Sequence, residues 1–244
     1  MGEIFISNLS TGIISSLLAS GLTCLIHNLI INFGYYKDFF KSLVFYNKDI
    51  RFSMAYLFRI KLNGKYLLIK GARIDQYQPV GGVFKFQKSF QEIARQLEVK
   101  DDDNIPIDEI SKDDLRVKVK GKKVIKLIKW FYSRLNREVG VHREFIEELI
   151  KPGYLNIEFL SKFNPQYIKT FCTNINKSTY HQCREILIYE IYEVLFDEET
   201  VAEFTKTVEK SNGQLILVSD TDIEKETIYL DSYKKIGKHS KYIL

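Results

Sequence analysis

Arg51 to Ala72 reads RFSMAYLFRIKL-NG-KYLLIKGA, two runs rich in β-branched and aromatic residues separated only by Asn63 and Gly64. Two residues of this type between two such runs specify a β-hairpin with a tight turn, because both turn positions need positive φ. Downstream, Pro79-Val80-Gly81-Gly82 interrupts the chain, Val83 to Phe86 resumes an extended run, and Lys88 to Val99 takes helical spacing. Ile186 to Phe196 (ILIYEIYEVLF) reads as a second long strand, and Leu215 to Ser219 (LILVS) as a short one ahead of a helix near Asp222. Strands and helices interspersed in this way predict an α+β domain with a mixed sheet between helices.

Upstream of the hairpin the chain changes character. No Asp, Glu, Lys or Arg occurs between Glu3 and Lys37, and Gly12 to Phe33 reads GIISSLLASGLTCLIHNLIINF. That run matches the roughly 20 residues a helix needs to cross hydrocarbon. Glu3 stands where a signal peptide carries its cationic region, and no small-residue cleavage site closes the run, so the expectation is a retained anchor. Lys37, Lys41, Lys48 and Arg51 follow it, and the positive-inside rule then places the large domain in the cytoplasm. Within the span, Gly12, Ser16, Ser20, Cys24 and Asn28 recur at every fourth position, a small-then-polar stripe suited to helix self-association in lipid. The expected organisation is a tail and single transmembrane helix over residues 1–36, a juxtamembrane linker over 37–50 and a folded domain over 51–244.

Across 244 residues, 45% hydrophobic and 27% charged content exclude a disordered tail, a collagen-like fibre and a polytopic membrane protein. The net charge of +5, from 36 basic and 31 acidic residues, is too mild to predict duplex nucleic-acid binding. Cys24, Cys172 and Cys183 have no zinc-ligand spacing and read as free thiols of a reducing compartment. The four histidines are scattered, and neither a P-loop nor a dinucleotide fingerprint is present. Charge is nevertheless patterned: Glu98 to Asp114 is acidic, whereas Lys112 to Arg137 holds ten Lys or Arg against only Asp113 and Asp114. Val124, Ile125, Leu127, Ile128, Trp130 and Phe131 mark an apolar helical face beside Lys122, Lys123, Lys126 and Lys129. Such a helix suits either anionic headgroups and phosphates or simple packing on the core.

Arg143-Glu-Phe-Ile-Glu-Glu148 is the sharpest local pattern. On a regular helix Glu144 shares a face with Glu147 and Glu148 at spacings of three and four, so three carboxylates converge and call for a neutralising cation, with magnesium or manganese the suitable hard ions. Arg143 can pair with one of them and fix its orientation. Surface helices also carry such runs, because Glu and Arg are good helix formers.

The hairpin, the Pro-Val-Gly-Gly turn, the REFIEE helix, the long strand and the terminal helix together resemble the Nudix fold. In that family the element G-x5-E-x7-R-E-U-x-E-E-x-G-U binds metal and acts on nucleoside diphosphates linked to another group. Here only its middle is kept. Counting forward from Gly82 puts Lys88, Gln96 and Leu97 where Glu, Arg and Glu belong; counting back from Arg143 puts Leu135 at the first Glu and Lys129 at the Gly, and Ile150 replaces the late Gly. Residues from about 83 to 141 then read as an insertion. In a nucleotide pocket so arranged, Arg73, Lys85 and Arg143 are candidate phosphate contacts, Tyr77, Phe84 and Phe86 candidate stacking rings, and Gly81 and Gly82 part of the lining.

An anchor followed by an eroded Nudix box resembles a narrower family, the SMODS-associated membrane-anchored NUDIX effectors of bacterial cyclic-oligonucleotide anti-phage signalling (CBASS). The resemblance implies a sensor for a cyclic di- or trinucleotide made by a partner cyclic-nucleotide synthase. It further implies residence in the bacterial inner membrane and self-association into a homo-oligomer that disrupts the bilayer. It requires no cofactor, magnesium being optional at Glu144, Glu147 and Glu148, and no catalytic residue. Two alternatives stay open: a membrane-tethered hydrolase of nucleoside diphosphate derivatives using those three glutamates, and a non-enzymatic protein-binding scaffold.

Overall fold

The computed structural model describes residue 22 and residues 41–72, 74–103, 113–178, 180–228 and 231–244. Strands β1 (Asp49–Leu62), β2 (Lys65–Lys70), β3 (Tyr77–Gln78) and β4 (Gly81–Val83) come first. Helix α1 (Phe90–Leu97), β5 (Lys100–Asp101), β6 (Arg116–Lys120) and helix α2 (Val124–Ser133) follow. Helix α3 (His142–Phe145) runs directly into a π-helical turn at Ile146–Ile150, and α4 (Phe159–Lys162) precedes β7 (Pro165–Cys172), β8 (Asn176–Lys177) and β9 (Arg184–Val194). The chain ends with α5 (Glu198–Lys210), β10 (Leu215–Val218), α6 (Asp220–Lys225), β11 (Thr227–Ile228) and β12 (Asp231–Lys235), then a 3₁₀ turn at Lys238–Ile243.

β1 is the spine. Its residues Arg51–Ile60 pair in parallel with Glu185–Val194 of β9. Along its other edge three strands follow one another antiparallel: β6 against Asp49–Ser53, β4 against Ala55–Leu57, and β2 against Lys61–Leu62. β9 carries β7 and β8, while β2 carries β10 and β3. Elements cover both faces of this centre, so β1 is buried on both sides: Phe52, Met54, Tyr56 and Phe58 are fully enclosed and Ala55 and Leu57 nearly so. That explains why the middle of its sequence, Met54 to Phe58, is a continuous apolar run between ends that alternate. The hairpin turn is as expected, with Asn63 at φ 51° and Gly64 at φ 78°, the two positive values that match the twist of the flanking strands.

The basic helix resolves in favour of the core. Val124, Leu127, Trp130 and Phe131 of α2 are buried, and Trp130 lies 4.3 Å from the ring of Phe90 in α1. The apolar stripe is therefore covered by the domain's own interior, not available to lipid. The acidic stretch comes back to meet the basic one: Glu98 sits 3.6 and 3.7 Å from Lys122 and Lys123. Asp102 is buried against Arg51 at 2.6 Å, and that guanidinium also reaches Glu185 at 2.9 Å. A second buried pair joins Arg137 to Glu190 of β9 at 2.6 Å. Cys172 and Cys183 are free thiols, as expected.

Among the described residues no helix is long and apolar enough to cross a membrane. The expected span from Gly12 to Phe33, including Gly12, Ser16, Ser20, Cys24 and Asn28, lies outside them apart from Leu22.

Candidate functional site

The Gly81–Gly82 strand end and the REFIEE segment, 60 residues apart in the chain, meet at one place. β4 lies in the sheet beside Tyr56 and Leu57, and the backbone N–H of Gly81 donates to Oε2 of Glu148 at 2.9 Å. A Cβ at Gly82 would fall 2.0 Å from the carboxyl carbon of Glu144, so Glu144 is seated directly on the glycine backbone. The N–H of Glu144 in turn donates to the Tyr56 hydroxyl at 3.4 Å.

Arg143 ties the cluster together. Its Nε and one terminal nitrogen donate to the two oxygens of Glu138, each at 3.0 Å, and that same nitrogen reaches the Val83 carbonyl at 2.8 Å. The other terminal nitrogen donates to Glu144 and, at 3.1 Å, to Glu147. A guanidinium has five N–H groups, and here five contacts engage them. Arg143 therefore has no donor left for a phosphate, which corrects its expected role as a ligand contact. It is a structural knot. Burial opposes its charge, but the hydrogen bonds it donates to Glu138 and the charges of Glu144 and Glu138 outweigh that, and its pKa is raised.

The three glutamates expected to converge on a cation stay close enough for Glu144 and Glu147 to raise the pKa of Glu148, but each is held by its own set of partners. The wide turn at Ile146–Ile150, closed by the Lys151 N–H to the Ile146 carbonyl at 2.8 Å, breaks the regular angular spacing that placed Glu147 and Glu148 over Glu144. Glu144 is held by Gly82 and Arg143; Glu147 by Arg143 and, at 3.5 Å, Lys151; and Glu148 by the Gly81 N–H. Among the described residues no group of three or more His, Cys, Asp or Glu is disposed to hold a metal ion. A guanidinium already stands among the carboxylates, bonded to Glu144 and Glu147 but not to Glu148.

Burial raises the pKa of Glu144 against the pull of Arg143. It pushes Glu148 further, up to about 8, only partly offset by the Gly81 N–H and reinforced by the neighbouring charges of Glu144 and Glu147. Glu148 thus holds a proton when folded at pH values where the unfolded chain has lost it, so stability falls as pH rises from the ordinary carboxylate value of 4.5 to about 8. Glu148→Gln, which imitates the protonated acid, should therefore match the parent near pH 5 and become progressively more stable than it towards pH 9. Thermal melts of both proteins across that range test this, and a constant difference would refute it.

Beside this cluster lies a groove of about 420 Å³, lined by Ile69, Lys70, Gly71 and Ala72 at the end of β2, by Glu147 and Glu148, by Pro152 and Tyr154 beyond the π-helical turn, and by Gln214 ahead of β10. The other expected ligand contacts are distributed differently. Tyr77 is buried and its hydroxyl donates to the Gly213 carbonyl at 2.6 Å. Phe84 is fully enclosed, 4.7 Å from Tyr56, with the Arg137 guanidinium 4.5 Å from its ring. Neither ring has a face for a base, because the core claims both. Lys85 gives its N–H to Glu138 at 3.1 Å, and Phe86 packs 5.4 Å from Phe90. Arg73 lies outside the described residues. Glu138, Tyr154, Lys70 and Gln214 carry no signal in the sequence: they come from four separate segments and meet only in the fold.

The family described as SMODS-associated NUDIX domain matches residues 49–244. No curated protein and no solved structure matches the chain.

Proposed function

The chain belongs to the SMODS-associated NUDIX family, and from that premise we propose that its Nudix domain is a non-hydrolytic sensor of a cyclic di- or trinucleotide, acting as the switch of a membrane-anchored anti-phage effector. One observation supports the sensor over the hydrolase: Arg143 is bonded to Glu144 and Glu147, two of the three carboxylates that metal-assisted hydrolysis would use, with all five of its contacts made inside the protein. Leu135 stands where the motif has its first glutamate. What remains beside the cluster is an open groove with an aromatic wall at Tyr154, the kind of concave, mixed surface on which small ligands settle.

A sensor must retain its signal, so loss of turnover is an asset to it. A ligand shifts an assembly equilibrium only through its differential affinity for the assembled state. In the proposed mechanism the occupied domains associate and draw the Gly12, Ser16, Ser20, Cys24 and Asn28 stripes of neighbouring chains together in the bilayer.

The full-length protein in detergent should bind one member of a panel of radiolabelled cyclic di- and trinucleotides in equilibrium dialysis and return it chemically intact. It should release no product from nucleoside diphosphate derivatives in magnesium. Sedimentation should show a larger particle with the best binder than without. Turnover of a diphosphate derivative that is abolished by Glu148→Gln would overturn the sensor in favour of the hydrolase.

A further inference from the structure

Residues 41–48 fall within the expected juxtamembrane linker and ahead of the stretch that the family matches, yet they are built into the domain. The Lys41 Nζ donates to the Ile175 carbonyl at 3.0 Å, and the N–H groups of Gly121 and Lys122 donate to the carbonyls of Lys48 at 3.0 Å and Tyr46 at 3.1 Å. A Cβ at Gly121 would fall 2.2 Å from the Phe45 carbonyl oxygen, so the segment lies directly on that glycine. The Phe45 ring packs on the core and carries the Arg184 guanidinium 3.8 Å away. Together these contacts make a collar, fixed at the end of the sheet where β1 and β9 start and β6 finishes.

The collar keeps Phe45 inward and turns its other apolar side chains outward: Leu43, Val44 and Tyr46 are 47%, 76% and 50% exposed. Exposed cations stand around them. Lys48 is in the same segment, Arg184 lies on Phe45, and Lys177 is paired with Arg184 across β8 and β9. None of the three has a carboxylate partner among the described residues, whereas the acids beside them are occupied, Asp49 by Lys100 and Lys120 and Glu185 by Arg51. Apolar and tyrosine side chains ringed by lysine and arginine suit the boundary of hydrocarbon and anionic headgroups, where stems and rings enter and cations meet phosphate. Reach supplies the partner. With the Gly12–Phe33 run in the bilayer, Phe33 is eight residues before Lys41, at most about 29 Å of extended chain. The collar is thereby held beside the membrane at a high effective concentration for lipid contact.

We infer that the collar face, Leu43, Val44 and Tyr46 with Lys48, Lys177 and Arg184, docks on the anionic surface of the bilayer and fixes the orientation of the domain against it. The inference rests on the membrane anchor of the reading above and not on its ligand. β1 and β9 run parallel away from the collar, and the 11 residues of β9 carry the chain about 36 Å, so the Asn63–Gly64 turn and Leu195 stand at the end remote from lipid.

The full-length chain reconstituted in phosphatidylcholine vesicles, with and without phosphatidylglycerol, tests this. Brominated phospholipid should quench Tyr46→Trp at least about threefold more strongly than Leu195→Trp, with the buried native Trp130 as their common background. Phosphatidylglycerol should increase the quenching of Tyr46→Trp, and changing Lys48, Lys177 and Arg184 together to Gln should cancel that increase. In the unaltered protein, which requires no variant to fold, amine labelling of Lys48 and Lys177 relative to Lys65 should drop about threefold or more when phosphatidylglycerol is included. Equal quenching at positions 46 and 195 would overturn the docked face while the anchor stands. Protection of Lys48 and Lys177 that ignores lipid composition would place a second chain on this face and equally refute the inference. Release of the unaltered chain by alkaline carbonate would remove the anchor reading itself and this inference with it.

Discussion

Arg137→Ala is expected to destabilise the domain by about 3–5 kcal/mol, the usual consequence of removing one partner of a buried ion pair. The Arg137 side chain is only 1% exposed and its guanidinium binds Glu190 at 2.6 Å. It also donates to the carbonyls of Phe131 at 3.1 Å and Glu138 at 2.9 Å, and stands 4.0 Å from the Phe131 ring. Glu190 is equally enclosed, and apart from Arg137 it keeps only the Tyr192 hydroxyl at 2.7 Å and the more distant Arg134 at 3.7 Å. Truncation therefore strands a carboxylate between β1 and β7, the two strands that flank β9, in a medium that charges tolerate poorly. Combining Arg137→Met with Glu190→Leu should remove the stranded charge and recover part of the loss, with a coupling of about 1–3 kcal/mol in a double-mutant cycle. Urea unfolding of the four proteins measures it, and additive losses would show that the pair is not the source.

The consequence reaches the site. Arg137 anchors the backbone next to Glu138, and the Glu138 carboxylate is the fork on which Arg143 rests. Arg134 and Asn136 both adopt left-handed backbone conformations, φ 60° and 63°, which turn the chain sharply out of α2 and towards α3. A buried charge in the sheet thus orders the strap that aligns the glutamates beside the groove. Loss of Arg137 should weaken ligand binding in proportion to the folded fraction and also beyond it, because the strap loses its fastening even in molecules that remain folded.

How much of this was legible depended on how local the physics is. The hairpin around Asn63–Gly64, the long strand ending near Val194 and the short one at Leu215–Val218 announce themselves because turn geometry and side-chain run are written in adjacent residues. The meeting of Gly81–Gly82 with the Arg143–Glu148 segment was legible through the Nudix pattern, although the chain departs between them to build α1, β5, β6 and α2. The detail of the site was not. A π-helical turn over Ile146–Ile150 breaks the regular spacing that makes three glutamates converge on paper, and nothing in that five-residue string distinguishes it from an α-helix. Glu138 gives no periodic hint, because it lies in an irregular strap, and its worth comes from Arg143 bending back to it. Tyr77 and Phe84 looked like candidate stacking rings since an aromatic residue beside glycines reads the same whether it faces a ligand or a core.

The two adjacent glycines of β4 should respond to alanine very differently. At Gly81 a Cβ would lie 2.2 Å from the Tyr56 carbonyl oxygen and 2.9 Å from the Leu57 Cα, both backbone atoms of the central strand, and φ is +149°. Neither obstacle can move without shifting β1, which is paired on both edges at this level. Overpacking of about 1–3 kcal/mol and backbone strain of about 1–3 kcal/mol act together, so Gly81→Ala should lose at least about 3 kcal/mol and release the Gly81 N–H from Glu148. At Gly82 the obstacle is instead the carboxylate of Glu144, the end of a side chain that can swing aside. Gly82→Ala should then lose less, about 1–3 kcal/mol, chiefly by tearing Glu144 from Arg143. Adding Glu144→Ala opens the space: it should relieve most of the clash at Gly82 and do nothing for Gly81→Ala, whose obstacle is backbone. Denaturation midpoints of the four variants decide the matter, and rescue of Gly81→Ala by Glu144→Ala would mean that the strand and the glutamate are not arranged as described.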